Sequence, residues 1–292
     1  MLIGGLANQY IACNYFDIEI GTNPICPVGK QVAIGDMPVS KDKCLTFTAY
    51  MDTSYDIKDK ISRDGFAVID NVFSDEEIEN LLSSISQVDT SKPAFRRTND
   101  LFAIRQFFKE VPAAISIIFN DAFKSTISEI FGDDFFVVKY IYFDKPEESN
   151  WFVAWHQDLT ISVDKKIDIE GFSPWTTKQN QFAVQPPLNI LQDNFTIRIH
   201  LDNTNEANGA LKVIPKSHLK GLYRPEKIDW SIETDIICCV KKAGIMLMKP
   251  LLLHSSGRTT NNEQRRVIHT EFRRSPLSGN LNWSEYMQVP KY

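Results

Sequence analysis

Two potential metal ligands lie close together in a strand-like run of the sequence. His156 and Asp158 belong to NWFVAWHQDLT, residues 150–160. Side chains alternate along a strand, so these two would project from one face, and Trp155 and Gln157 from the other. The pair could hold a divalent cation, or it could be a polar pair on a solvated face. The triplet alone does not distinguish these interpretations.

A metal site would need another ligand from a different strand, and four further histidines could supply it. His218 lies in the turn PKSHLKG and is most simply solvated. His200 lies in a strand whose polar face could be core, cavity or surface. His269 lies inside the following strand, where a histidine is more often a hydrogen-bonded core residue than a ligand. His254 ends the apolar run IMLMKPLLLH, where a strand would deliver a polar group to the mouth of a barrel. We therefore favour His254 as the next ligand.

A serine and an arginine follow His254 at short spacing. Ser256 comes two residues later, and Arg265 begins RRVIHTEF, a run that reads as a returning antiparallel strand. We expect the two strands to be neighbours, with Arg265 near the same cavity. Two imidazoles and a carboxylate hold iron(II) with three positions open, and an arginine can bind a dicarboxylate through paired hydrogen bonds. The alternative metal for this ligand set is zinc, which would indicate hydrolysis.

Upstream of Gly132 the sequence predicts helices. Residues 55–64 have the pattern of a short amphipathic helix ended by a glycine. Ser74 and Glu77 have the spacing of a capping box at the start of the next helix. A longer helix is predicted from Pro112, which suits a first helical turn, to Gly132.

Downstream of Gly132 the sequence predicts strands. Short runs rich in β-branched and aromatic residues alternate with turn signals. They cover residues 135–143, 151–158, 195–202, 209–215, 236–241, 245–254 and 265–272. Many short strands of this kind indicate a sandwich or a barrel.

Composition narrows the classes of partner. The formal net charge is -5, so nothing favours nucleic acid, and 43% hydrophobic residues suffice for a real core. No apolar run reaches the roughly 18 residues of a membrane span, and the N-terminus lacks the basic region of a secretory signal. We expect a cytoplasmic protein with a small-molecule partner. The oligomeric state stays open, and residues 1–54 show no pattern that predicts a structure.

Four collinear segments make the chain resemble the phytanoyl-CoA dioxygenase family of iron(II)- and 2-oxoglutarate-dependent oxygenases. They are ISRDGFAVIDNVFSDEEI (61–78), YFDKPEESNWFVAWHQDLT (142–160), IRIHLDNTNEANGALKVIPKSHLKG (197–221) and AGIMLMKPLLLHSSGRTTNNEQRRVIHTEF (243–272). The resemblance spans about residues 55–275 and leaves out the first fifty or so. It implies a mainly β fold with flanking α-helices, a double-stranded β-helix of the jelly-roll or cupin-like type. The expected oxygenase domain is residues 55–292.

The resemblance also implies roles for individual residues. The family's iron ligands fall on His156, Asp158 and His254. Its contacts to 2-oxoglutarate fall on Arg265, on Ser256 and, on the central strand, on Arg198. The family can place an aromatic residue at the last position, so Arg198 could instead bind an anionic substrate or lie on an exposed strand face.

The implied reaction consumes O2 and converts 2-oxoglutarate to succinate and CO2 while a small molecule is hydroxylated. Substrate residues would come from loops at the barrel mouth. The candidates are Trp155, Arg105, Gln185 and the insert between residues 161 and 190, although each could equally serve packing or solvation. Two alternatives are a non-catalytic β-helix protein that binds a metal or a small ligand, and an iron halogenase. A halogenase replaces the carboxylate ligand by a small residue, so Asp158 argues against it.

Overall fold

The computed structural model describes residues 54–92, 94–99, 102–178 and 181–290. The unassigned N-terminal segment of the sequence, residues 1–54, lies outside this part except for its last residue. Six α-helices occur in the described residues: α1 (Ser54–Asp64), α2 (Asp75–Ser86), α3 (Phe107–Glu110), α4 (Ala113–Ile118), α5 (Asp121–Phe131) and α6 (Leu188–Asp193). None of the described helices has the length and apolar character needed to cross a membrane.

The strands form a large antiparallel sheet, a smaller one facing it, and a three-stranded sheet. The strands of the described residues are β1 (Phe66–Ile69), β2 (Phe95–Arg97), β3 (Phe102–Arg105), β4 (Phe136–Lys145), β5 (Val153–His156), β6 (Ile161–Val163), β7 (Trp175–Lys178), β8 (Gln181–Val184), β9 (Phe195–His200), β10 (Leu211–Val213), β11 (Ile236–Cys238), β12 (Ile245–Met248), β13 (His254–Ser256), β14 (Arg265–Arg273) and β15 (Met287–Gln288).

The major sheet has the strand order β1-β12-β9-β14-β4-β3-β2, with β15 also paired to β4. The minor sheet has the order β11-β10-β13-β5, and β6-β8-β7 form the third sheet within the predicted insert. The fold is the predicted mainly β jelly roll with flanking helices. In the described residues the major and minor sheets stay separate and do not close into one hydrogen-bonded cylinder.

The two faces of the major sheet differ in chemistry, because side chains alternate along each strand. On β9, Ile197 and Ile199 join the core cluster that the helices α1, α2, α4 and α5 cover. Burying an aliphatic side chain of this size contributes about 1.5–3 kcal/mol. Arg198 and His200 alternate with them along the strand and are equally buried, but they face the minor sheet. The inner face is therefore polar, although it is closed off from solvent.

Two helix predictions have different outcomes. The capping box is present: Glu77 N donates to Ser74 Oγ at 3.2 Å, and Ser74 N donates to Glu77 Oε2 at 2.8 Å. The long helix predicted from Pro112 is in fact two helices, α4 and α5. Asn120 separates them, since its side chain accepts the N–H of Phe123 at 2.8 Å and so caps a new helix.

The predicted strand 245–254 is also two strands. Its first part, β12, lies in the major sheet, and its last residue begins β13 in the minor sheet. Pro250 lies between them and has no N–H to donate to a ladder. The expectation that Arg265 lies on a strand beside that of His254 is therefore wrong, because β14 pairs with β4 and β9 while β13 pairs with β10 and β5.

Candidate metal centre

Three side chains that could hold a metal ion meet between the two sheets. His156 on β5 and His254 on β13 are direct cross-strand partners, and their ring centroids are 4.2 Å apart. Asp158 follows just beyond the end of β5. Its Oδ1 is 3.7 Å from His156 Nε2, and its Oδ2 is 3.9 Å from His254 Nε2. One ligand atom from each residue lies within 4.8 Å of the others.

Both imidazole rings are oriented by the backbone. His156 Nδ1 lies 2.8 Å from Ala154 O, and His254 Nδ1 lies 2.9 Å from Leu252 O. A carbonyl can only accept, so each Nδ1 carries the proton and donates it. Each Nε2 then presents its lone pair to the other two ligands. In metal sites, a hydrogen bond from the other ring nitrogen typically fixes the tautomer and the orientation of the imidazole in this way.

Protonation states also suit a metal. Burial lowers the pKa of His254 to about 3, so this imidazole is neutral at pH 7. Burial raises the pKa of Asp158, but the surrounding histidines and Lys139 together lower it to about 2, and its carboxyl is ionised. Metal ligands must be deprotonated. Two imidazole nitrogens and one carboxylate fit iron(II), so these residues suit the ion that the resemblance implies.

A buried arginine and a serine approach the metal centre from opposite sheets. Arg265 is 3% exposed and lies on the inner face of β14. Its Nη2 donates to Ser256 Oγ at 3.3 Å, and Ser256 Oγ donates to Gly209 O at 2.9 Å. The two predicted cosubstrate residues are therefore in contact, but across the gap between sheets rather than along one sheet.

A second polar cluster lies further along the same inner face. Arg198 Nη1 donates to His269 Nδ1 at 3.2 Å, and His269 Nε2 is 3.2 Å from Glu271 Oε1. Glu271 Oε1 accepts from Lys139 Nζ at 2.8 Å. Sequence reasoning missed Lys139 and Glu271 as site residues. A pattern in the sequence could have indicated them, because polar residues are placed with a period of two in the strands that contain Lys139 and Glu271.

The predicted substrate residues are dispersed. Arg105 lies half-buried on β3, opposite Ile141, and so shares the inner face with His269. Trp155 packs on the other side of the minor sheet, with its ring centroid 5.8 Å from that of Trp230. Gln185 follows β8, where its backbone pairs with Ser173 and Pro174. Of these three candidates, the structure brings Arg105 to the inner face.

Comparison with known proteins gives one family and many similar folds. The model of the family described as phytanoyl-CoA dioxygenase (PhyH) matches residues 61–267. An ectoine dioxygenase from Bordetella parapertussis is 26% identical over 165 residues, which are 53% of this chain and 46% of that protein. The chain therefore spans about half the length of the curated relative that it matches.

Two solved structures illustrate the fold. HygX from Streptomyces hygroscopicus, with nickel, 2-oxoglutarate and hygromycin B bound, has a TM-score of 0.53 at 14% identity, covering 74% of this chain and 85% of that one. The non-heme α-ketoglutarate-dependent epimerase SnoN from nogalamycin biosynthesis has a TM-score of 0.57 at 13% identity, covering 76% and 84%. At these identities the likeness establishes the fold alone. The family match extends over well over half of the sequence, and the chain belongs to the phytanoyl-CoA dioxygenase family of iron(II)- and 2-oxoglutarate-dependent oxygenases.

Proposed function

We propose that residues 55–292 form an iron(II)- and 2-oxoglutarate-dependent dioxygenase domain that hydroxylates a small molecule. In the balanced reaction, one oxygen atom of O2 enters a substrate C–H bond and the other enters succinate as 2-oxoglutarate loses CO2. The observation that carries this proposal is the convergence of His156, Asp158 and His254 opposite a buried arginine.

The metal ligands are His156, Asp158 and His254, which are also the catalytic residues. Iron(II) held there supplies the activation of O2 and the oxidising chemistry. The protein's contribution is to keep both imidazoles correctly rotated through the carbonyls of Ala154 and Leu252. Asp158 supplies the anionic ligand, and its side chain is 9% exposed, so bulk water has little access to it.

The cosubstrate residues are Arg265 and Ser256. A guanidinium can donate two parallel hydrogen bonds to the distal carboxylate of 2-oxoglutarate, which an ammonium cannot reproduce. Ser256 holds Arg265 in place by accepting a hydrogen bond from it, and its hydroxyl could donate to the same carboxylate by turning away from Gly209 O. Burial of both side chains strengthens these interactions, because the local dielectric is lower than that of water.

Product mass distinguishes hydroxylation from other outcomes that this fold supports. Hydroxylation adds the mass of one oxygen atom, about 16 Da. Epimerisation leaves the mass unchanged, ring closure removes two hydrogens, and halogenation adds a halogen. Asp158 disfavours halogenation because it fills the position that a halide would need. To find the substrate, the iron-loaded protein is incubated with a metabolite extract, 2-oxoglutarate and O2, and the products are identified by mass.

The test measures succinate from protein supplied with iron(II), with zinc or with a chelator. We expect succinate with iron alone. His254→Ala should lose most bound iron, and Asp158→Gly should lose hydroxylation even where iron remains, in both chloride and chloride-free buffer. Equal succinate under all three metal conditions, or an Asp158→Gly variant that hydroxylates as fast as the parent, would contradict the proposal. Zinc-dependent hydrolysis and a non-catalytic protein would each give no iron-dependent succinate.

A further inference from the structure

Arg198 is a buried cation on the inner face of the major sheet. Its side chain lies on the inner face of β9 and is 2% exposed. It donates one hydrogen bond, to His269 Nδ1 at 3.2 Å. Among the described residues, no Asp or Glu forms an ion pair with it. An arginine stays charged when buried, and a buried charge without a partner is costly.

The guanidinium lies on the same inner face of the major sheet as Arg265, on the side of the minor sheet that carries His156 and His254, and it contacts His269. It is nevertheless held apart from the cosubstrate pair. Arg198 is the cross-strand partner of His269, which lies four residues along β14 from Arg265, or about 14 Å at the usual rise.

A chain of hydrogen bonds fixes this guanidinium. His269 receives a hydrogen bond from Arg198 on one ring nitrogen and contacts Glu271 with the other. Glu271 is neutralised by Lys139 at 2.8 Å. The carboxylate nearest to Arg198 along this chain is therefore already paired, and His269 serves to position the arginine rather than to neutralise it.

Charge balance in the interior points the same way. Among the described residues, the inner surface carries five cationic side chains and three carboxyl groups: Lys139, Lys145, Arg105, Arg198 and Arg265 against Asp158, Glu271 and Glu285. A divalent cation and the dianion 2-oxoglutarate cancel each other. The excess of positive charge therefore remains when both are bound, and an anionic group on the substrate would offset it.

We propose that Arg198 binds an oxyanion of the prime substrate, a carboxylate or a phosphate group, and that Arg265 without Arg198 takes the distal carboxylate of 2-oxoglutarate. The substrate class is then a small anionic metabolite rather than a neutral or purely apolar molecule. This inference rests on the proposed function, since it assumes that 2-oxoglutarate occupies the Arg265 end of the site. The proposal gives Arg198 a role in binding the substrate, whereas the family resemblance implied that Arg198 contacts 2-oxoglutarate.

The test separates the two arginines by their ligands. In the anaerobic iron(II) protein, 2-oxoglutarate is titrated by following the metal-to-ligand absorption band. Acetate and inorganic phosphate are then titrated separately, by calorimetry, with 2-oxoglutarate saturating. We expect the parent to bind at least one of these anions saturably. Arg198→Met should weaken that binding by about tenfold or more, the loss of one charged hydrogen bond, and change the 2-oxoglutarate dissociation constant less than about threefold.

Arg265→Met is the matched control on the same inner face and should show the reverse pattern. Arg198→Gln keeps a donor for His269 and should also lose anion binding, which separates a lost charge from a disturbed fold. An anion that binds the iron itself would bind the parent and Arg198→Met equally, and that result overturns the proposal. So does a parent that binds neither anion, or an Arg198→Met variant that loses 2-oxoglutarate as Arg265→Met does.

Failure of the proposed function gives a different result. A parent that binds no 2-oxoglutarate in the presence of iron(II) would contradict the cosubstrate assignment. The anion titrations, repeated with metal alone, would still test Arg198, because its lack of a carboxylate partner does not depend on the cosubstrate.

Discussion

The ion pair between Lys139 and Glu271 gives a stability prediction that does not depend on the reaction. The two residues are cross-strand partners on β4 and β14, with Nζ and Oε1 2.8 Å apart and side chains 9% and 5% exposed. Lys139→Met keeps most of the volume of the side chain and removes its charge. Glu271 then stays buried, with His269 as its remaining neighbour on the inner face.

Removing one member of a buried ion pair costs about 3–5 kcal/mol, because the other charge is left without compensation. For a domain of this size, each kcal/mol lowers the melting temperature by about 2–4 °C. We therefore expect Lys139→Met to melt about 6–20 °C below the parent at pH 7, as followed by circular dichroism in the presence of a chelator. The double variant Lys139→Met/Glu271→Leu should recover most of the loss, since it removes both charges of the pair and leaves neither one uncompensated.

The loss should also depend on pH. In the parent, burial raises the pKa of Glu271, but Lys139 and His269 together lower it by more, so the carboxylate stabilises the fold above its unfolded pKa and loses this effect as pH falls. Without Lys139, burial dominates and the folded pKa rises, so the variant gains stability as pH falls. The difference in melting temperature between the parent and Lys139→Met should therefore become smaller from about pH 7 to about pH 5. A variant that melts within about 2 °C of the parent, or a double variant no better than the single one, would refute this reasoning.

Two further predictions concern other buried groups. Arg265→Lys keeps the charge but loses the paired donors, so the 2-oxoglutarate dissociation constant should rise about 10- to 150-fold, equivalent to about 1.5–3 kcal/mol. Arg266→Lys, whose parent side chain pairs with Asp202, is the control for anaerobic titration, and an unchanged constant for Arg265→Lys would exclude the bidentate role. Burial raises the pKa of Glu285 to about 7, above its unfolded value, so the stability it contributes is full at acid pH and is lost as pH rises through about 7. Glu285→Gln should therefore gain melting temperature relative to the parent between about pH 5 and about pH 8, and a difference that does not vary with pH would contradict this.

Local patterns in the sequence were sufficient for much of the fold. The capping box at Ser74, the helix end at Gly132 and the alternation in the strand that contains Arg198 are all properties of neighbouring residues, so they can be read from a short window. The prediction that His156, Asp158 and His254 form one metal site combined such windows with a family resemblance. In the structure the ligand atoms of these three residues do lie together.

Pairings between distant segments were harder to predict. The hydrophobicity of a run does not indicate which sheet its strand joins. The run ending at His254 was therefore predicted as one strand, although Pro250 divides it between two sheets. The pair Lys139–Glu271 joins residues 132 positions apart and depends on the register of β4 against β14. The third sheet lies in the insert, where short strands such as β6 are too brief to show a period.

The cross-strand pairing of His156 with His254 links parts of the chain that are separated by about one third of its length. An ion bound to both acts as a reversible cross-link between these two segments of the folded chain. Folding brings the two ligands together, so an ion that needs both binds the folded state in preference to the unfolded one, and metal binding also stabilises the fold. Metal supply during synthesis would then influence how much native protein accumulates, in addition to setting the activity of each molecule.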